Sequence, residues 1–523
     1  MKKLIFALAL TAATAVCAKD PVVVTVNADK PGATINRNIY GQFSEHLGTC
    51  IYGGLWVGPE SPIPNIDGYR KDVFQALKDL QVPVMRWPGG CYADEYHWQD
   101  GIGPKENRPI MVNNNWGGIV EDNSFGTHEF LNLCEMLGCE PYISLNVGSG
   151  SVQEAAQWIE YMNAENGPQA RIREQNGRKE PWHVKYIGIG NEAWGCGGNM
   201  RPEYYSDIFR RYQTYCRDFD QNKPLYKIAS GASDYDYEWT EVLMDRIGSM
   251  ANAVSLHYYT VSGWVGAKKP ALDFDEDDYY WCLGKCLGIE PVIQKHLAIM
   301  SKADPENTIP LLVDEWGTWW EPEPGTQLYQ QNTMRDALVA SLSLDVFHKY
   351  CDRIQMTNIA QVANVLQSMI LTKDDKMILT PTYWLYYMYK PHMDATYIPT
   401  SLENVEVKLT PNERYAANPD ETATRPLPMF SSTASKDKDG KLHVSMSNVK
   451  LHEQQDVTVN LNGMKASKVS AKILTSDNAT DFNSFEIPDK IRLADFSGAK
   501  INRKTGSVSL TIPAASIVTL EIE

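Results

Sequence analysis

Val184-Lys-Tyr-Ile-Gly-Ile-Gly-Asn-Glu192-Ala-Trp194 starts as an apolar run and breaks off at the polar pair Asn191-Glu192. A buried strand that ends in polar side chains is how a parallel-sheet enzyme delivers groups to its active face. Ile309-Pro-Leu-Leu-Val313 repeats the pattern and runs into Asp314-Glu315-Trp316-Gly317. A single such Glu reads equally well as a solvated loop residue. Two in the same context point to a carboxylate pair across one cleft.

Runs of the same kind recur on both sides, at Ile39–Phe43, Val82–Trp87, Tyr142–Val147, Val184–Gly190, Tyr226–Ser230, Ala253–His257, Ile309–Val313 and Arg353–Ile359. Amphipathic stretches of helix length separate them, among them Tyr69–Leu80, His128–Leu137, Val152–Asn163, Glu203–Phe219 and Gln330–Tyr350. Strands alternating with helices imply βαβ units, and eight in succession predict an α/β fold of the (β/α)8 TIM-barrel kind over residues 37–390. A doubly wound open sheet is the structural rival, but no G-x-G-x-x-G or P-loop follows the first run. Residues 391–523 change character: Leu442–Met446, Val457–Leu461 and Val508–Ile512 alternate in strand fashion, with turns at Lys438-Asp-Gly440 and Asn462-Gly463. This predicts a C-terminal antiparallel β-sandwich. Val22–Val26, within the segment 19–36, is a strand with no helix after it, and it is expected to pack on that sandwich.

The 523 residues carry a net charge of −16. That excludes a basic face for nucleic acid or an anionic membrane and fits a neutral substrate. Lys2 and Lys3, the apolar run Leu4–Leu10 and the small residues around Ala18 read as a signal peptide over residues 1–18. Export to the periplasm or the medium is expected, with lipoprotein anchoring at Cys17 ranked behind it. No stretch is long enough for a membrane span. Of 10 cysteines, none forms paired C-x-x-C motifs, so no metal is expected; buried thiols are the default, with one or two disulfides left open.

In a barrel the strand ends converge on one rim. They deliver Glu45 and His46, Arg86, Cys91, Asn146, Asn191 and Glu192, His257 and Tyr259, Glu315, Asn358 and Gln361. Glycosidic hydrolysis needs such a set: an acid for the leaving oxygen, a carboxylate to attack, and groups that hold hydroxyls. Arg86 keeps a neighbouring carboxylate ionised, and the apolar context of Glu192 keeps it protonated as an acid must be. The alternatives stay open at this level: His257 as a core histidine, Tyr259 as core, Glu45-His46 as a cap, or a metal held by Glu45, His46, His257 and Glu315. The segment Thr260–Gly288, with the acidic run Asp273–Asp278, is expected to wall one side of the cleft.

Ile39-Tyr-Gly-Gln-Phe-Ser-Glu45-His46-Leu47, Arg86-Trp-Pro-Gly-Gly90, Asp100-Gly-Ile-Gly-Pro104, Gly190-Asn-Glu192 and Asp314-Glu315-Trp316 together resemble the α-L-arabinofuranosidases of glycoside hydrolase family 51. The resemblance implies Glu192 as general acid/base and Glu315 as nucleophile, without a cofactor. It implies Asn191, Glu45 and Gln361 on sugar hydroxyls, Tyr259 on the nucleophile with His257 beside it, and Trp116 and Trp319 flanking the leaving group. It also implies a homo-oligomer, often a hexamer, and an arabinose-containing oligo- or polysaccharide as substrate. Cys91 stands where many members have Asn, so a thiol replaces an amide, or Tyr92 takes its place. Another retaining glycosidase (an endo-glucanase or xylosidase) and a non-catalytic carbohydrate-binding protein are the competing functions.

Overall fold

The computed structural model describes residues 20–264, 268–411 and 424–523; the expected signal peptide, 1–18, lies outside them. Eight parallel strands close into a barrel in chain order: Gly41–Phe43, Val84–Trp87, Glu140–Leu145, Tyr186–Ile189, Tyr226–Ser233, Ala253–Val261, Leu311–Trp319 and Ile354–Ala360. Each expected apolar run supplies one of them. The second and fourth strands are buried at every position, because a parallel sheet is covered on both faces.

The helices between them are set by local chemistry. Ser151 accepts a hydrogen bond from the Glu154 amide at the start of Val152–Asn163, and Thr333 forms a capping box with Asp336 at the start of Met334–Lys349. Thr127–Leu137 ends at Gly138, whose φ of 76° suits a residue without a Cβ. Of the segment Thr260–Gly288, Trp264 lines the cleft as expected, whereas the acidic run does not. Asp275 caps the helix Glu276–Leu287, accepting from the Asp278 amide at 2.8 Å, and Glu276, Asp277 and Asp278 fill its first turn. Carboxylates are favoured there by the positive end of the helix. Asp278 is also paired with Lys269 at 3.0 Å.

The C-terminal unit packs a five-stranded sheet on a six-stranded one around its own apolar core. Val22–Asn27 lies inside the five-stranded sheet, antiparallel to Thr400–Glu403 and parallel to Gln455–Asn462; every other pairing of the two sheets is antiparallel. Buried histidines join sandwich to barrel. His348 lies between Tyr40 Oη (2.9 Å) and Thr433 Oγ1 (3.1 Å), and His392 between Ser435 Oγ (2.7 Å) and Ser445 Oγ (2.8 Å). Burial alone pushes His348 down to about 3, and burial, then the neighbouring His348 and His443, pushes His392 far below its usual range. Both are neutral imidazoles. Among the described residues no helix is long and apolar enough to cross a membrane.

Candidate active site

A cavity of about 220 Å³ opens at the C-terminal rim of the barrel, lined by Glu45, Cys91, Trp116, Glu192, Tyr259, Glu315, Trp319 and Gln361 together with Leu47, Trp194, Ser233, Trp264, Leu328 and Leu366. The remaining expected residues, Arg86, Asn191 and His257, are buried behind it; Arg86 and His257 touch the glutamates, and Asn191 is held by Arg86.

Glu315 sits within the seventh strand rather than past its end. The ladder slips between Ser255 and His257 on one side and between Val313 and Trp316 on the other. Bulges of this kind re-aim side chains, and here they let the adjacent Asp314 and Glu315 both face Arg86. Arg86 Nη1 donates to Glu315 Oε2 at 3.0 Å, and Tyr259 Oη donates to Oε1 at 2.7 Å. Both oxygens are thereby fixed. Arg86 Nη2 donates to Asn191 Oδ1. Burial works against the Arg86 charge, but Asp314, Tyr142 and Glu315 outweigh it and hold the proton above the usual arginine range.

Glu192 follows the fourth strand at φ +40°, a left-handed turn that swings its side chain over the rim. Its Oε1 lies 2.8 Å from His257 Nδ1. Burial, opposed by that histidine and reinforced by Glu315, raises the Glu192 pKa above the ordinary carboxylate value. One carboxylate oxygen of Glu192, one of Glu315 and a ring nitrogen of His257 all lie within 4.8 Å of one another. Retaining glycosidases hold their carboxyls about 5–5.5 Å apart and inverting ones about 6.5–9.5 Å, and oxygens this close are compatible with the shorter spacing. His257 is therefore part of the site and no core histidine. Burial would lower its pKa, but Glu315, Asp314 and Glu192 outweigh burial and raise it to about 10, so the ring is charged.

Glu45 is the floor. Its Oε1 accepts from the Gly90 and Tyr92 amides (3.0 and 3.1 Å) and from Trp116 Nε1 (3.0 Å), while Oε2 accepts from Gln361 Nε2 (3.1 Å). Burial first, then Glu315, lifts its pKa to about 7. A Cβ at Gly89 would lie 2.6 Å from Glu45 Cγ, which is why the Pro-Gly-Gly turn carries no side chain there. Trp116 comes from the tip of a hairpin, Met111–Asn113 with Ile119–Glu121. Trp319 packs edge-to-face on Tyr259 and Trp264, with centroids 5.0 and 5.3 Å apart. His46 turns away from the cavity, 3.3 Å from Glu121.

One expectation fails. Cys91 offers no thiol: it is bonded to Cys196, and Tyr92 does not replace it, since its hydroxyl points at Met111 Sδ (3.1 Å). Sequence reading also passed over Asp314, Tyr142, Asp94 and Cys196. Tyr142 donates to Asp314 at 2.7 Å; burial opposes the Asp314 charge, but Arg86, His257 and Tyr142 outweigh it and hold its pKa below the ordinary range. Asp94 accepts from the Val147, Gly148 and Asn191 amides (2.8, 2.9 and 3.1 Å) and ties three rim loops together. Only the adjacency of Asp314 to Glu315 gave a hint of any of these.

The chain is 60% identical over 518 residues, 98% of each chain, to a Bacteroides ovatus protein named intracellular exo-alpha-L-arabinofuranosidase. The chain belongs to the α-L-arabinofuranosidases of glycoside hydrolase family 51. It is a glycoside hydrolase. Residues 76–276 match the alpha-L-arabinofuranosidase 1 domain and residues 314–516 the alpha-L-arabinofuranosidase C-terminal domain. Aspergillus flavus has a relative, a probable alpha-L-arabinofuranosidase C, 31% identical over 91% of this chain and 93% of its own. The family 51 arabinofuranosidase of Xanthomonas axonopodis pv. citri superposes with a TM-score of 0.90 at 46% identity, covering 96% of this chain and 100% of that one. An arabinose complex of the Thermotoga maritima enzyme gives 0.81 at 28% over the same shares. The export expected from residues 1–18 is corrected by the first of these comparisons, because a relative matching almost the whole chain is named as intracellular.

Proposed function

We propose that this enzyme removes terminal α-L-arabinofuranosyl residues with net retention, Glu315 attacking the anomeric carbon and Glu192 acting as acid and then base. The observation that carries this reading is the pairing of two glutamates with opposite surroundings at close range. Arg86 and Tyr259 each donate to one oxygen of Glu315, while burial raises the Glu192 pKa above the ordinary carboxylate value. Glu192 protonates the leaving oxygen as Glu315 forms the glycosyl ester, and then takes a proton from the water that cleaves it.

Glu45 and Gln361 hold the sugar hydroxyls. Gln361 Oε1 is buried without a protein partner, an acceptor left for a ligand donor. Asn191, tied to Arg86, binds the 2-hydroxyl; the wall at Cys91 shapes the sugar subsite, and Trp116 and Trp319 flank the leaving group. The enclosed cavity favours a chain end over a chain interior. With a relative named intracellular, the natural substrate is a soluble arabino-oligosaccharide rather than a polymer, and the protein works inside the cell. A homo-oligomer of it is supported by the exposed apolar residues Ile110, Val112 and Val120 on the Trp116 hairpin, and light scattering of the purified protein decides it.

Azide separates the two roles. Glu192→Ala should give a burst of phenol from an aryl arabinofuranoside, then slow turnover that azide restores as the retained glycosyl azide. Glu315→Ala should lose turnover on every substrate and yield the inverted azide. The opposite stereochemistry at each position would swap the roles, and full activity in both variants would move the site elsewhere.

A further inference from the structure

The disulfide beside Glu192 holds a second chemistry. Cys91 opens the loop after the second strand, and Cys196 lies in the Gly195-Cys-Gly-Gly198 turn after the fourth. Their bond is the only covalent tie between these two rim loops among the described residues. Cys196 Sγ is 3.6 Å and Cys91 Sγ 4.0 Å from Glu192 Oε2. Cys196 is exposed and Cys91 lines the cavity, whereas every other described cysteine is buried. A small reductant therefore reaches this bond, while every other described cysteine is shielded.

We propose that once the Cys91–Cys196 bond is reduced, Cys91, Cys196 and Glu192 form a three-donor site for a thiophilic divalent cation such as Zn²⁺, whose binding switches the enzyme off. The donors are already placed. A tetrahedral zinc with sulfur at about 2.3 Å and oxygen at about 2.0–2.2 Å sets its ligand atoms roughly 3.5–3.8 Å apart. The Cys196 distance of 3.6 Å falls in this range and the Cys91 distance of 4.0 Å lies just beyond it, so Cys91 must close slightly and the sulfurs must part; the glycines flanking Cys196 give its turn that freedom. His257 holds Glu192 Oε1 at 2.8 Å, leaving Oε2 toward the sulfurs, as an outer-shell partner does for a ligand carboxylate. Water from the open cavity completes the fourth position. Two thiolates and a carboxylate select zinc over magnesium or calcium.

The steps balance. A water-soluble phosphine gives two electrons to the sulfurs, water supplies two protons and its oxygen leaves in the phosphine oxide, and two thiols result. Zn²⁺ then displaces three protons to the buffer, one from each thiol and one from Glu192. The site carries one net negative charge, offset by the charged His257. In the intracellular setting proposed above, thiol reductants favour the open pair. The loss of activity rests on Glu192 being the acid/base; the metal site itself does not.

The test uses the full chain, air-oxidised and phosphine-reduced, with Co²⁺ and Zn²⁺ as probes. The reduced protein should bind a single Co²⁺ per chain with a near-ultraviolet thiolate-to-cobalt band that Zn²⁺ abolishes, and the oxidised protein should show none. Stoichiometric Zn²⁺ should slow aryl arabinofuranoside hydrolysis by the reduced enzyme about 100-fold, the scale of lost acid/base catalysis, reversibly with EDTA. Cys91→Ser with Cys196→Ser should lose the band and, against its own zinc-free rate, the zinc response; Cys196→Ser alone serves if the double variant misfolds. Glu192→Gln should weaken cobalt binding about tenfold or more. No band in the reduced protein, or equal zinc responses in the oxidised and serine forms, overturns the proposal. A band with undiminished hydrolysis keeps the metal site and overturns both the switch and the acid/base role of Glu192.

Discussion

Replacing His257 by Gln tests the charge that sits beside Glu192 and Glu315. Gln keeps a donor near Glu192 and removes the positive charge. In the folded protein that charge, through a 2.8 Å contact, opposes the rise of the Glu192 pKa caused by burial. Two unit charges about 4 Å apart at an effective dielectric of about 20 interact by roughly 4 kcal/mol, which is up to about three pKa units at 1.36 kcal/mol each. Water entering the smaller side chain's space returns part of this, leaving about one to two units upward. The alkaline limb of kcat/KM, which reports loss of the acid's proton, should move to higher pH by that amount. The assay is kcat/KM for an arabinofuranoside with a poor leaving group across the pH range, because such a substrate depends on protonation. An unmoved limb, or one displaced to lower pH, would show that His257 is neutral in the free enzyme and refute the electrostatic account of the site.

Tyr259→Phe removes the 2.7 Å hydrogen bond to Glu315 Oε1; a bond to a charged group is worth about 1.5–3 kcal/mol, so kcat/KM should fall about 10- to 150-fold, measured by steady-state kinetics. Trp116→Phe removes one donor from Glu45 and should raise KM about tenfold with kcat little changed, the mark of lost ground-state binding. His348 is held near 3 in the fold against its ordinary 6.5, so its contribution is full above pH 6.5 and is lost as pH falls toward 3. Chemical denaturation should show stability declining by about 1.4 kcal/mol per pH unit from this residue. Asp345, which burial lifts to about 7, titrates in the opposite sense, so the quantity to read is the slope of wild type minus that of His348→Gln; equal slopes would reject a neutral buried imidazole.

The barrel was legible because its signal is periodic. Each strand is an apolar run bounded by turns, and every expected run became a barrel strand. The glutamates were legible because each follows or interrupts such a run. Several helices were not named from the sequence, Tyr237–Ile247 and Glu276–Leu287 among them. The second was hidden by its own N-terminus: Asp273–Asp278 has the composition of a solvated loop, yet acidic residues concentrate in a helix's first turn for electrostatic reasons. Long-range partners were out of reach. Cys196 meets Cys91 across a separation of 105 residues, and Asp94 meets Asn191 across 97; nothing local marks either. Reading Cys91 as a thiol failed for this reason, since its chemistry is set by a residue that only closure of the barrel brings near.

The strand Val22–Asn27 leaves the ribosome long before its neighbours in the sheet, Thr400–Glu403 and Gln455–Asn462. Both its edges stay unsatisfied while the entire barrel is made, and an unpaired run of valines is a template for aggregation. Closing a loop of this length ranks among the slow steps of folding. Expressing residues 391–523 alone would leave a gap inside the five-stranded sheet, with two raw edges facing each other. A circular permutant that moves residues 20–36 behind Glu523 would make the same sheet from contiguous chain, and it should refold faster with less loss to aggregates.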